Sequence, residues 1–111
     1  MLAEAIKDHG ALAGMQLSHP GRDTGFVGGT EVVAASSVTF EPWYEAGAAL
    51  PKPLTIDEIH DLVDKYGQAA LRCKKAGFDL VEVHGAGGCL PTNFLSPNDN
   101  RRNDMYGGIF T

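Results

Sequence analysis

The chain has 111 residues, enough for one small domain with a modest core. A net charge of -5 and the absence of any Lys/Arg run with interleaved aromatics argue against a nucleic-acid reader. No apolar stretch could span a bilayer, the start MLAEAIKDHG lacks signal-peptide order, and Cys73 and Cys89 form neither a disulfide framework nor a metal pattern, so a reducing, cytoplasmic setting is expected.

Residues 2–9 read as a short helix, with Leu2, Ala5 and Ile6 on one face and Gly10 as its stop. Residues 12–18 read as a strand. Met15 and Leu17 should face helices, and Gly14, Gln16 and Ser18 the other way. His19-Pro20-Gly21-Arg22 is a turn. Residues 23–53 show little periodicity and are punctuated by Gly25, Gly28, Gly29, Pro42, Pro51 and Pro53. This segment reads as a long loop that packs as a cover, through Phe26, Val32, Val33, Phe40, Trp43 and Tyr44.

Residues 55–76 form the clearest helix. Thr55 and Glu58 make a capping-box pattern, and Ile59, Leu62, Val63, Tyr66, Ala69, Ala70 and Cys73 make an apolar stripe. Asp61 and Lys65 stand at i,i+4 on the wet side. Cys73 is expected as a buried free thiol. Gly77 supplies a left-handed end, and the strand 78–84 follows at once. Leu80, Glu82 and His84 share one face of it; Asp79, Val81 and Val83 share the other. Helix, glycine and strand in this order make half of a βαβ unit, so a parallel sheet buried on both faces is predicted. Beyond it, Gly85, Gly87 and Gly88 keep the backbone bare. Residues 93–95 read as one helical turn and 97–100 as a turn.

Polar groups collect at strand ends: Gln16 and His19 on the first strand, Glu82 and His84 on the second. Paired in parallel, these strands bring Gln16 and His84 to one rim, where α/β proteins place their sites. That predicts a pocket for a polar, planar ligand, with an amide and an imidazole as donors. The plainer alternative makes His19 and His84 structural histidines that tie loops to backbone. His19, His84 and Cys89 are zinc-type ligands without a diagnostic spacing. Gly85-x-Gly87-Gly88 is a weak phosphate-loop pattern, with no Lys-Ser/Thr or helix start directly after it. Arg101 and Arg102 are expected to tie a loop through carboxylates such as Asp104 rather than to bind an anion, and Tyr106 to pack beside Gly107-Gly108.

Four segments, in order, resemble the Old Yellow Enzyme family of FMN-dependent oxidoreductases. Gln16-Leu17-Ser18-His19-Pro20-Gly21-Arg22 is similar to its Q-L-x-H-x-G-R segment. Pro53-Leu54-Thr55 with Glu58-Ile59 resembles its P-x-x-L-T-x-x-E-I helix start. Ala76-Gly77-Phe78-Asp79 through Val81-Glu82-Val83-His84 resembles A-G-F-D-x-V-E-I-H. Asn93-Phe94-Leu95-Ser96-Pro97, then Asn100, Arg102, Asp104, Tyr106, Gly107 and Gly108, resembles its F-L-S-P-x-x-N-x-R-x-D-x-Y-G-G motif.

The resemblance implies an α/β fold: part of a (β/α)8 TIM barrel, about two βα units plus the long loop, resembling its third and fourth strands. Residues 1–111 would be a fragment of a single FMN-binding domain, because a whole barrel takes roughly 250 residues. It implies FMN as cofactor, NAD(P)H as reductant and an activated alkene or enoate-type substrate, with no nucleic acid or membrane partner. Gln16 would hydrogen-bond the flavin ring, Glu82 would lie inside the barrel, and His84 would be the first of two donors to the substrate's electron-withdrawing group. Gly87 stands where the family's second donor, His or Asn, is usual. Cys89 stands where a proton-donating Tyr is often found, which makes it the candidate acid. A piece this short lacks a complete site and leaves strand edges unpaired. The alternatives are a non-catalytic barrel remnant that associates with a full-length relative, and a metal-dependent barrel hydrolase.

Overall fold

The structure, a computed structural model, describes residues 1–26, 31–47 and 49–108. Gly28, Gly29, the side chains of Phe26, Pro42 and Trp43, and the closing Ile109-Phe110-Thr111 lie outside the described residues. In chain order the elements are α1 (Leu2–Lys7), β1 (Gly14–Leu17), a 3-10 helix (Gly21–Phe26), β2 (Val33–Ala34), α2 (Glu41–Glu45), β3 (Lys52–Pro53), α3 (Ile56–Lys75), β4 (Leu80–Val83) and α4 (Leu90–Leu95). They fall into two compact units. One comprises Met1–Leu17 and Ile56–His84, the other Ser18–Thr55 and Gly85–Thr111.

In the first unit β1 and β4 pair in parallel, with Gln16 opposite Glu82 and Leu17 opposite Val83. The 20-residue α3 packs on both strands. It ends in a Schellman motif. Gly77, at φ +88°, donates to the Lys74 carbonyl, and Phe78 donates to that of Cys73. Asp79 then sets the start of the pairing. Its backbone N–H donates to the Ala13 carbonyl at 2.9 Å, and its carboxylate accepts from the Ala13 N–H at 2.9 Å and from Lys7 Nζ at 2.8 Å. Ala3, Ala13 and Ile59 form the buried core here.

Three expectations change. Met15 and Leu17 are half-buried while Gly14 and Gln16 are exposed, as alternation requires, but all four residues of β4 are exposed. The sheet is not buried on both faces, because only two strands and the helical layer on them make up this unit. Val63, placed on the apolar stripe of α3, is 61% exposed. It sits at the rim of the arc centred on Ile59, Leu62, Tyr66 and Cys73, beyond the reach of so narrow a sheet. Cys73 is a free thiol and half-buried rather than buried.

In the second unit, residues 23–53 are not an irregular loop. They hold part of the 3-10 helix, α2, and the parallel pair β2–β3, with Val33 opposite Lys52 and Ala34 opposite Pro53. Strands of two residues leave no periodicity to read. Lys52 and Leu54 donate to the Val32 and Ala34 carbonyls, so Pro53 stands where no amide proton is needed. The packing residues are small: Ala34, Ala35 and Ser36 are buried with Pro51, Leu54 and Leu90, while Phe40 and Tyr44 stay exposed. The turn expected over 93–95 is the end of a six-residue helix, α4, which starts at Leu90 with Pro91 in its first turn. Proline is tolerated there because the first-turn amides have no intrahelical partner.

Candidate functional site

The first unit brings together Gln16, Glu82 and His84. Gln16 lies one residue from the end of β1, and its exposed side-chain amide donates to the Glu82 carboxylate directly across the ladder. His84 follows β4 by one residue, and its N–H donates to the Leu17 carbonyl at 2.8 Å. Alternation therefore puts His84 on the same face as Glu82 and Gln16. The ring is half-buried, and no described residue of its unit hydrogen-bonds the imidazole. His84 is thus not a loop-tying histidine within this unit. Its imidazole lies on the same strand face as an amide that donates to a carboxylate.

His19 behaves in the other way. Its Nδ1 accepts from the Gly21 N–H at 3.0 Å, and burial pushes its pKa below the ordinary value of 6.5. That is the structural role the plainer reading assigned. The described residues contain no group of three or more His, Cys, Asp and Glu placed to hold a metal, and His19 has already committed one ring nitrogen. Among the described residues, the zinc reading finds no ligand set.

Cys89 belongs to the second unit, with His19. It is the N-cap residue of α4, its thiol is free and half-buried, and Sγ lies 3.8 Å from Ser18 Oγ. Gly87, at φ +57°, faces open space: a Cβ there would meet nothing within 4 Å. Gly88 is the opposite case, since a Cβ would fall 2.0 Å from the Asp23 carboxylate. Arg102 ties the loop through Asp104 as expected. It also donates to the Ala35 and Leu54 carbonyls at 3.0 and 2.6 Å and lies over the Phe94 ring, on which Tyr106 packs edge-on. Arg101 donates only its backbone N–H, to Ser36 Oγ, among the bonds described. Asn93, which reads in the sequence as the start of a helical turn and of the closing motif, is 1% exposed, and its amide spans two backbone segments, a contact that the sequence does not show.

The model of the NADH:flavin oxidoreductase / NADH oxidase family matches residues 1–110. The chain belongs to that family. It is 42% identical to an NADPH dehydrogenase of Geobacillus sp. (strain WCH70) over 107 residues, which is 96% of this chain and 30% of that protein. Among solved structures it is similar to morphinone reductase, with a TM-score of 0.82 and 39% identity over 97% of this chain and 33% of that one. It is likewise similar to Old Yellow Enzyme from Pichia sp. AKU4542, with a TM-score of 0.81 and 32% identity over 97% of this chain and 30% of that one. The resemblance read from Gln16–Arg22 and from the segments at 53–59, 76–84 and 93–108 is therefore borne out at the level of family and of mixed α/β architecture. The chain spans about a third of the length of the relatives it matches.

Proposed function

We propose that this chain carries part of the cofactor and substrate rim of an FMN-dependent NAD(P)H oxidoreductase. In this reading β1 and β4 are neighbouring strands of a (β/α)8 barrel, and residues 1–111 lie within one FMN-binding domain. The observation that carries it is the Gln16–Glu82–His84 face: an exposed amide bonded to its register partner, with the His84 imidazole, which has no hydrogen-bond partner among the described residues, just past the end of β4.

That face fits a flavin. A primary amide has a second N–H and a carbonyl oxygen left after bonding Glu82, and a flavin ring edge offers acceptors and donors in its plane. FMN, when bound, supplies the hydride acceptor and donor. The chain's own residues do the rest. Gln16 binds and orients the ring edge. His84 donates to the electron-withdrawing oxygen of an activated alkene or enoate-type substrate, countering the negative charge that builds there. Gly87 contributes no second donor. Cys89, in the second unit, is the candidate proton donor. NAD(P)H is the reductant, in keeping with the names of the family and of the Geobacillus relative.

Exchange of residues 1–110 for the matching segment of the Geobacillus NADPH dehydrogenase tests the proposal. The hybrid should bind FMN and oxidise NADPH. Gln16→Ala should lower flavin occupancy, and His84→Ala should keep flavin but raise KM for an enone substrate. A folded hybrid without flavin would sink the proposal.

A second reading is favoured by the exposure of Leu80, Val81 and Val83 on β4. An open parallel edge of this kind docks on other strands, and a full-length relative is the natural partner. Co-expression with the Geobacillus protein, followed by native mass spectrometry, distinguishes the two: a stable hetero-complex that lacks turnover of its own supports docking.

A further inference from the structure

We infer that Glu82 is a positioning residue, whose carboxylate sets which end of the Gln16 amide faces a ligand. The two residues stand opposite each other in the β1–β4 ladder. Backbone bonds hold that register at both ends. Asp79 N–H donates to the Ala13 carbonyl at 2.9 Å, and His84 N–H donates to that of Leu17 at 2.8 Å. One bond then joins the side chains, from Gln16 Nε2 to the Glu82 carboxylate. Among the described residues neither side chain has another partner, and no Lys or Arg is paired with Glu82.

The chemistry of the pair leaves one arrangement. A carboxylate only accepts, whereas an amide has a donor end and an acceptor end. With Nε2 toward Glu82 the bond forms. Turned about its last torsion, the amide would set its own oxygen against a carboxylate oxygen. Glu82 therefore selects between two orientations that are alike in shape and opposite in hydrogen-bonding sense. The Gln16 oxygen is left unspent. Neighbours on this face do not compete for it. Toward the start of the ladder the Leu80 side chain lies over Gly14, where a Cβ would meet Leu80 Cδ1 at 2.8 Å. Beyond Glu82 stands His84, whose imidazole has no hydrogen-bond partner among the described residues. Glu82 acts through Gln16, by deciding what the amide presents.

The consequence for a ligand rests on the proposed function; the hold of Glu82 on the amide does not, and it is measured without flavin. Glu82→Gln keeps the shape of the side chain and removes the selection, because an amide at position 82 can bond either end of Gln16. In the full chain, interchange of the two Gln16 Nε2 protons is followed by nuclear magnetic resonance. It should be about tenfold faster in Glu82→Gln, through loss of a charge-assisted bond. Should that variant lose protection of the His84 backbone amide, Glu82→Met, similar in length and only a weak acceptor, is read in its place with the same result expected.

The second measurement uses the hybrid with the Geobacillus NADPH dehydrogenase, stripped of cofactor. An oxidised flavin ring has one N–H, at N3, and an outward amide oxygen accepts from it. FMN should therefore bind more tightly than N3-methyl FMN, and Glu82→Gln should reduce that preference about tenfold. A pair with only a structural role would weaken both flavins alike. A hybrid that binds neither flavin defeats the proposed function, and the proton interchange then decides the role of Glu82. Equal interchange rates with and without the Glu82 carboxylate, or a flavin preference that survives Glu82→Gln, overturns the inference.

Discussion

The side-chain amide of Gln16 donates to the carboxylate of Glu82, its register partner on the adjacent parallel strand. Cross-strand pairs of this kind stabilise a ladder, and like charges placed directly opposite do the reverse. Gln16→Glu should therefore lower the unfolding free energy at neutral pH by about 0.5 kcal/mol. The loss should shrink on acidification, as the carboxylate pair takes up a proton. Urea unfolding at two pH values, with Gln16→Leu as an uncharged control, reads the difference. Equal losses for both variants at both pH values would show that charge is not the cause.

Two glycines of the α3 region should respond in opposite directions. A Cβ at Gly67, inside the helix, meets nothing within 4 Å, so Gly67→Ala should stabilise by about 0.8 kcal/mol through backbone entropy alone. Gly77 sits at φ +88° in the Schellman turn, where Gly77→Ala should cost about 1–2 kcal/mol. Thermal melts followed by far-UV circular dichroism should move up for the first and down for the second.

The sequence carried α3, its glycine stop and the β1–β4 pairing well, because each has a long or locally sufficient pattern. Twenty residues of helical periodicity and a left-handed glycine need little from the rest of the chain. The face shared by Gln16, Glu82 and His84 also followed from alternation, once the two strands were taken as parallel. What stayed hidden depends on tertiary contact. The two-residue strands β2 and β3 exist only as partners, and Pro53 argued against a strand until its unneeded amide position was visible. Small residues such as Ala34 and Ala35 make the second unit's core, where aromatic residues seemed the better candidates. Asn93 reads only as the start of a helical turn and of the closing motif; which two backbone groups its amide reaches is decided by tertiary contact.

Asp79 should give the first unit an acid-sensitive step. The hydrogen bond from Lys7, helped by the Ala13 N–H, holds its carboxyl below the ordinary 3.8. The folded chain therefore binds this proton less tightly than the unfolded chain. Stability from the pair is present above the unfolded value and is lost as pH falls through the lower, folded one. The destabilisation caused by Asp79→Asn should be constant between about pH 5 and 7 and should fade in stronger acid. Denaturant midpoints across that range test it. A gap that widens as pH falls would reverse the sign and refute the assignment.

Arg102 should matter more to the second unit than its place in a loop suggests. Its side chain is 9% exposed and bonds three places far apart in sequence: the Ala35 carbonyl, the Leu54 carbonyl and the Asp104 carboxylate. Asp104 is held below its ordinary pKa chiefly by the Arg102 hydrogen bonds, so the pair stays charged at neutral pH. Truncation strands two buried carbonyls that have turned toward the guanidinium. Arg102→Ala should cost about 3 kcal/mol. Arg102→Lys should recover only part of this, because one ammonium cannot reproduce the planar fork that serves both carbonyls and the carboxylate. Amide exchange at Leu54 and Arg101 localises the effect. Both should lose protection in Arg102→Ala while the β1–β4 amides keep theirs, and uniform loss across the chain would mean that Arg102 is not specific to this unit.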